Sequence, residues 1–190
     1  VEESRRIVAD VRSRVRSHNA GRRMVEERVF GLLAERSRQP IAPEDLRDRI
    51  RRMEEVRYAL EWMWPVLSAS ELLNDLYSSR ALIASAAAGR LSDDEIDLLI
   101  SPHHDDASER VWAFADAPVL DEALVRLGAR PGRRESDVIR TYGHILVDEA
   151  QDLSPMELRT LRRRSLGGSM TVVGDIAQAT SPWAHDDWDE

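Results

Sequence analysis

Two apolar runs of the chain end in acidic side chains, which are the residues best suited to phosphate chemistry. Asp148 and Glu149 directly follow the run His144–Val147, and Asp175 comes two residues after the run Met170–Val173. Mg²⁺ is a hard cation that takes one or two carboxylates and keeps most of its waters. A second carboxylate can orient and polarise an attacking water. The pattern predicts Asp148 as the Mg²⁺ ligand and Glu149 as the catalytic acid of a nucleotide hydrolase.

The residues between the two runs predict the helix that connects them. Ser154 suits the N-cap and Pro155 the first helical position, while Glu157 is placed to pair with the exposed amide of the cap. The arginines at 162–164 suit the negative end of the helix dipole. Strand, helix and strand within roughly thirty residues form a right-handed parallel unit.

The carboxyl ends of parallel strands are where ligands bind in open sheets. Asp148 and Asp175 both follow such ends, so they are predicted to lie at one edge of the sheet and to bind nucleotide. Gln178 lies three residues beyond Asp175, where a neutral amide can contact a terminal phosphate and report its loss on hydrolysis. For the Asp148-Glu149 pair alone, the alternative is an ordinary acidic strand-to-helix turn.

The composition bounds what these residues can do. The chain has 190 residues and no Cys, and all 27 of its Lys and Arg residues are Arg. A phosphate-binding G-x-x-x-x-G-K-[ST] loop needs a Lys. We therefore expect a piece of an ATP-driven motor that does not turn over ATP alone. No apolar run approaches the ~20 residues of a membrane span, and a cytoplasmic protein without a membrane partner is expected.

Charge is distributed unevenly along the chain. Residues 1–60 carry fifteen Arg and eleven acidic residues, whereas residues 61–190 carry twelve Arg and twenty-four acidic residues. The basic part indicates either solvated helix faces or an arm that meets an acidic partner or a phosphate backbone. The loop His103–Asp106 combines imidazoles and carboxylates, which leaves a solvated loop and a metal site as alternatives.

Apolar residues at helical spacing predict that the first two-thirds of the chain is helical. Pro43 suits the first turn of a helix that runs to about Trp64. Leu33 and Met53 belong to the predicted apolar faces, and Trp62 is expected to pack in a core or an interface. The predicted helices cover residues 1–17, 24–36, 43–64, 69–78, 79–88, 92–100, 107–115 and 117–127. The predicted fold class is therefore α/β and predominantly helical, with a small parallel sheet.

The two acidic segments are similar to two motifs of the UvrD/Rep-type superfamily-one helicases. Asp148–Asp152 (DEAQD) resembles motif II, and Val173–Gln178 (VGDIAQ) resembles motif III, in matching order and spacing. The resemblance implies a RecA-like P-loop motor domain that binds ATP and Mg²⁺. By this match Asp148 is the metal-linked acid, Glu149 the catalytic acid and Gln178 the phosphate sensor.

The wider sequence resembles one branch of that superfamily, the HelD-like ATPases that bind RNA polymerase. The similarity is carried by Met63–Leu67, Ala115–Ala123, Tyr142–His144, Val147–Leu158 and Gly168–Thr180. It implies that residues 1–135 are a helical insertion that contacts the polymerase, and that residues 136–190 are part of a RecA-like ATPase domain. The implied function is the ATP- or GTP-driven release of core RNA polymerase from nucleic acid. The acidic loop His103–Asp106 would then mimic nucleic acid inside the polymerase channel.

The residues after motif III differ from those of a typical helicase, in which an aromatic pair and Arg-Gly-Ala engage single-stranded DNA. Here the continuation is Ala179–His185, and Trp183 is its residue able to stack on a base. Two alternative functions remain. One is an ATP-dependent DNA helicase or translocase in repair, with DNA as its partner, and the other is a non-catalytic helical docking module.

Overall fold

The computed structural model describes residues 2–132 and 138–183. The chain divides into a helical unit, Val1–Arg110 with Ala123–Asp137, and a mixed unit, Val111–Glu122 with Val138–Glu190. The predicted domain boundary at residues 135 and 136 lies outside the described residues. Within the described ranges, no helix is both long enough and apolar enough to cross a membrane.

Nine α-helices and a two-stranded parallel sheet make up the regular structure of the described residues. The fold is therefore mostly helical with a small parallel sheet, as predicted. In chain order the elements are α1 (Glu2–Arg14), α2 (Gly21–Glu35), α3 (Pro43–Ile50), α4 (Glu54–Met63), α5 (Ala69–Tyr77), α6 (Arg80–Ala87), α7 (Asp93–Leu99), α8 (Ala117–Leu127), β1 (Ile145–Val147), α9 (Pro155–Arg164) and β2 (Met170–Val172).

An apolar core shared by α1, α2 and α4 stabilises the helical unit. Its fully buried members are Val11, Val25, Phe30, Leu60 and Trp64. The indole of Trp64 stacks on the His18 ring at 4.8 Å between centroids, and its Nε1 donates to the His18 carbonyl at 2.8 Å. A Cβ at Gly21 would overlap the Trp64 ring, so α2 can approach this indole only with glycine at that position.

The sequence does not predict how the segment between α2 and α5 joins the core. Asn19 is 2% exposed, and its side chain bonds the carbonyls of Leu67 and Gly128 at 2.9 and 2.8 Å. Arg22 donates to the carbonyls of Leu60 and Trp64 at 3.2 and 2.8 Å, at the end of α4. Two polar side chains therefore connect distant segments around the apolar core.

Two predicted helices are wrong. The helix predicted over 43–64 is broken into α3 and α4, because Met53 adopts an extended N-cap conformation. The break allows Ile50 before it and Val56 after it to pack on the same core. The helix predicted over 107–115 is replaced by two short 3₁₀ turns. The carboxylates of Asp106 and Asp116 accept backbone amide hydrogens there, and so compete with helical bonds.

Three residues of the predicted apolar faces lie outside the core, and for Trp62 this excludes the core but not the interface that is the other alternative. Leu33 and Met53 are 42% and 49% exposed, and Trp62 is 71% exposed. Trp62 lies on α4, whose opposite face carries the buried Leu60. Trp64, just beyond the helix, is the tryptophan that enters the core.

The mixed unit contains the predicted strand–helix–strand order. β1 and β2 pair in parallel with Ile145 opposite Met170 and Val147 opposite Val172, and α9 connects them. The Ser154 hydroxyl and the Glu157 carboxylate form the predicted capping box of α9. The apolar run His144–Val147 is typical of a buried parallel strand, but the structure buries β1 only in part. Val147 is buried, but no described element covers Leu146, which is 70% exposed.

Candidate active site

Backbone hydrogen bonds hold the two strand ends together beyond the regular sheet. The amide of Val173 donates to the Val147 carbonyl at 2.9 Å, and the amide of Ala150 donates to the Val173 carbonyl at 3.0 Å. Asp148 and Glu149 lie between these two bonds and are exposed. The predicted motif II acids thus lie next to the segment that leads to Asp175, at one edge of the sheet.

Glu149 has an unusual backbone conformation. Its φ of 53° and ψ of 41° place it in the left-handed region, which costs a non-glycine residue about 1 kcal/mol. Its own amide donates to Asp148 Oδ1 at 3.0 Å. Two consecutive carboxylates therefore lie in a tight turn at the end of β1, and strained backbone of this kind is frequent at functional sites.

Gln151 connects the two motifs through its side chain. Its Nε2 donates to Glu149 Oε2 at 2.7 Å, and its Oε1 accepts the amide hydrogen of Asp175 at 2.9 Å. The residue is only 2% exposed, so these bonds are made away from water. The orientation of the predicted catalytic carboxylate therefore depends on the position of the second strand end.

Asp175 and Gln178 lie at the two ends of a short 3₁₀ turn and are hydrogen-bonded to each other. Asp175 Oδ1 accepts the amide hydrogen of Ala177 at 2.9 Å, and its Oδ2 accepts a hydrogen bond from Gln178 Nε2 at 2.8 Å. The structure therefore brings together two of the three residues predicted to contact nucleotide, Asp175 and Gln178, and pairs them with each other. Gln178 has to exchange this bond, or share it, in order to contact a phosphate.

Asp152 anchors the segment after motif III. One of its carboxylate oxygens accepts the amide hydrogens of Thr180 and Ser181 at 2.8 and 2.9 Å. These bonds, chiefly the one from the Thr180 amide, hold the pKa of Asp152 below its usual value. Trp183, the predicted base-stacking residue, is 55% exposed two residues further on. Ala184 and His185, which continue the segment, lie outside the described residues.

The sequence pattern predicts no individual role for Gln151 or Asp152, although both lie within DEAQD. Each is a polar side chain in a short 3₁₀ turn, Ala150–Asp152, and each bonds a residue more than twenty positions away. The signal in the sequence is that both are polar residues within a motif that also contains the predicted catalytic acids. Their partners depend on the alignment of the two strands, which the sequence pattern alone does not specify in atomic detail.

A buried ionic network supports α9, the helix between the two strands. Asp121, whose side chain is 5% exposed, pairs with both Arg163 and Arg164. Glu122 pairs with Arg163 and also lies 3.3 Å from Arg159 Nε. The arginines that the sequence assigned to the helix dipole therefore also connect the start of α8 to α9.

The loop His103–Asp106 shows ion pairing but no metal-binding cluster. His103 Nε2 lies 3.3 Å from Asp75 Oδ1, and the loop backbone bonds the buried side chain of Asn74. No three or more His, Asp or Glu side chains of the described residues converge as a metal-binding group.

Comparison of the chain with protein-family models gives no match, and comparison with curated proteins gives none either.

Proposed function

We propose that the chain supplies the metal-linked acid and the catalytic acid of an ATP-driven motor of the superfamily-one helicase type. The observation that supports this most strongly is the bridge through Gln151. This buried amide bonds both the Glu149 carboxylate and the Asp175 backbone. An ordinary acidic turn has no need of such a connection, whereas a hydrolase must hold its catalytic acid in register with the nucleotide-contacting segment.

The available oxygen atoms fit these roles. The Glu149 amide donates a hydrogen bond to Asp148 Oδ1, and Gln151 Nε2 donates one to Glu149 Oε2. The second oxygen of each carboxylate has no hydrogen-bond partner among the described residues. Asp148 would hold Mg²⁺ directly or through water, and the ion would supply positive charge that stabilises the phosphate groups. Glu149 would orient the attacking water and accept its proton. Gln178 would exchange its bond to Asp175 for one to the terminal phosphate.

The motor we propose is RecA-like and HelD-like. In it the chain would act with a phosphate-binding loop whose lysine these 190 residues do not supply. It would use ATP or GTP with Mg²⁺ to release core RNA polymerase from nucleic acid in the cytoplasm. The sequence similarity across five segments supports this function over other nucleotide hydrolases.

A DNA helicase or translocase in repair is the second candidate. The exposed indole of Trp183 favours it, because an exposed aromatic ring can stack on an unpaired base. In that case the bond between Asp152 and the Thr180 amide would connect the hydrolysis site to the DNA contact. A non-catalytic docking module is the third candidate, and the large helical unit favours it.

A titration of the chain with Mn²⁺ and ATP, followed by NMR, tests the site directly. Paramagnetic Mn²⁺ should broaden the amide signals of Asp148, Glu149 and Asp175 before others, and Asp148→Asn should remove this selectivity. The control variant is Asp94→Asn, which changes an exposed carboxylate on α7. Selective broadening at His103–Asp106 with unchanged signals at the strand ends would contradict the proposal.

A further inference from the structure

The first helix of the helical unit carries a row of exposed arginine side chains. Arg5 and Arg12 are seven residues apart on α1, which is about two turns, so they share one face of the helix. Arg16 follows four residues later, and the Val15 amide still donates to the Val11 carbonyl at 3.2 Å, so the helical path continues almost to Arg16. All three arginines are exposed, whereas Val11 is buried in the core. We call Arg5, Arg12 and Arg16 the arginine stripe.

Each carboxylate of α1 is paired with an arginine that does not belong to the arginine stripe. The pairs are Glu2 with Arg6, Glu3 with Arg36, and Asp10 with both Arg14 and Arg28. The side chains of the arginine stripe make neither a hydrogen bond nor an ion pair with another described residue. The helix therefore presents a row of cations whose charge is not neutralised by an ion pair within the described part of the chain.

This arrangement distinguishes the arginine stripe from most other arginines of residues 1–60. Seven of the fifteen arginines in that segment form ion pairs within the helical unit: Arg6, Arg14, Arg22, Arg23, Arg28, Arg36 and Arg47. Another four, at residues 49–57, lie close in sequence to the exposed carboxylates of Glu54 and Glu55. In the arginine stripe, by contrast, the exposed residues between and beside the cations are the uncharged Ala9 and Ser13.

We propose that the arginine stripe binds the sugar–phosphate backbone of a nucleic acid. The fixed fork of N–H donors on a guanidinium group matches a phosphate and can form two parallel hydrogen bonds with it. Arg16 lies eleven residues after Arg5, which corresponds to about 16 Å at the rise of an α-helix. This length matches about five successive nucleotides along one strand of a duplex.

A nucleic acid fits this surface better than an acidic segment of a protein does. Protein interfaces gain most of their affinity from a few side chains that are desolvated in well-packed pockets. The small side chains of Ala9 and Ser13 provide little surface for such packing. Binding to phosphates requires no such anchor, because it depends on charge and on the release of counterions. The arginine stripe therefore binds the backbone of any sequence, and it does so independently of the nucleotide site of the mixed unit.

Fluorescence anisotropy with a fluorescein-labelled DNA duplex, measured on the full chain at several salt concentrations, tests the proposal. Arg5→Gln/Arg12→Gln/Arg16→Gln should weaken binding about tenfold at about 50 mM salt. It should also reduce the slope of log K against log salt by about 2 to 3, since each lost phosphate contact contributes about 0.9. Arg5→Lys/Arg12→Lys/Arg16→Lys should retain most of the affinity, because lysine keeps the charge. Both variants should unfold at the same urea concentration as the native chain, since glutamine and lysine are good helix formers.

A charge-matched control separates the arginine stripe from general attraction between arginine and DNA. Arg52→Gln/Arg90→Gln/Arg162→Gln removes three exposed arginines at separate places in the sequence, and should change the affinity by less than about twofold. A labelled single strand of the same length, measured in parallel, shows which form of nucleic acid binds more tightly. Equal losses in the two glutamine variants, or no binding of either DNA by the native chain, would overturn the proposal. Binding of labelled polyglutamate as tightly as DNA, lost in the same stripe variant, would overturn it in favour of an acidic protein.

Discussion

The helical unit and the mixed unit are each stabilised internally by a different kind of interaction. In the helical unit, Val11, Val25, Phe30, Leu60 and Trp64 are almost completely removed from water. In the mixed unit, the sheet has only two strands in the described residues, and Leu146, Val172 and Val173 are each at least half exposed. Its loops are instead connected by side chains that bond distant backbone groups, above all Gln151 and Asp152.

The two kinds of interaction have different consequences for substitutions. The apolar core does not involve the exposed side chains of the helical unit, such as that of Trp62, which is 71% exposed. A network of directed hydrogen bonds positions individual atoms, which is what a hydrolysis site requires. Substitutions in the core should therefore change stability, whereas substitutions in the network should change the geometry at the strand ends.

The largest expected effect is the loss of the Trp64 indole. Trp64→Ala should lower the free energy of unfolding of the helical unit by about 3–5 kcal/mol, because it leaves a cavity beside Val11 and removes the indole that stacks on the His18 ring. Urea unfolding followed by far-UV circular dichroism measures the change. The matched control is Trp62→Ala, which removes an indole that is 71% exposed on α4, with an expected change within about 0.5 kcal/mol. Similar losses for the two tryptophans would contradict the assignment of the core.

The second largest expected effect is a loss of stability of α9 in the mixed unit. Asp121→Ala leaves Arg163 and Arg164 without their shared carboxylate, and breaking such a largely buried pair should cost about 3 kcal/mol. Hydrogen exchange should show faster opening of α9, with little change in α1 and α2. Asp105→Ala, at a fully exposed carboxylate, should leave exchange in α9 unchanged. An equal loss of protection from hydrogen exchange in both units would contradict the prediction that Asp121→Ala affects the mixed unit alone.

Glycine substitutions compare the two strained residues of the chain. Among the described residues, Ala88 and Glu149 are the non-glycine positions with positive φ. Replacement of either by glycine should stabilise its unit by up to about 1 kcal/mol, because glycine adopts this conformation freely. Thermal unfolding measures both. The gain from Glu149→Gly should be smaller, since it also loses the bond from Gln151. A destabilised Ala88→Gly variant would contradict the argument from strain.

The smallest expected effect is local and depends on pH. The pKa of Asp152 is lowered because its ionised form accepts the Thr180 and Ser181 amide hydrogens. The contribution of these bonds is fully present above the usual aspartate value of about 3.9. It is lost as the pH falls through the lowered pKa of the folded state. NMR should therefore show the Thr180 and Ser181 amide signals moving only well into acid, with a flat response in Asp152→Asn. Movement centred above the usual aspartate value would contradict the lowered pKa.

Local patterns predicted the fold better than they predicted the site. The capping box of Ser154 and Glu157 and the parallel order of β1 and β2 follow from neighbouring residues, and the structure contains both. The break between α3 and α4 could not be predicted, because it depends on Ile50 and Val56 meeting the same distant core. The sequence predicts that Asp148 and Glu149 are the reactive groups. The bridge through Gln151 depends on Asp175, twenty-four residues away, and only the folded chain reveals it.

The most direct test of the central claim is the ATPase rate of a protein that contains this chain together with a phosphate-binding loop. The rate is measured alone, with core RNA polymerase and with single-stranded DNA, for the native sequence and for Glu149→Gln. We predict strong stimulation by the polymerase, little by DNA, and loss of the stimulated rate in Glu149→Gln. Stimulation by DNA alone would contradict the proposed role in polymerase release. A rate unchanged by Glu149→Gln would contradict the proposed hydrolysis site itself.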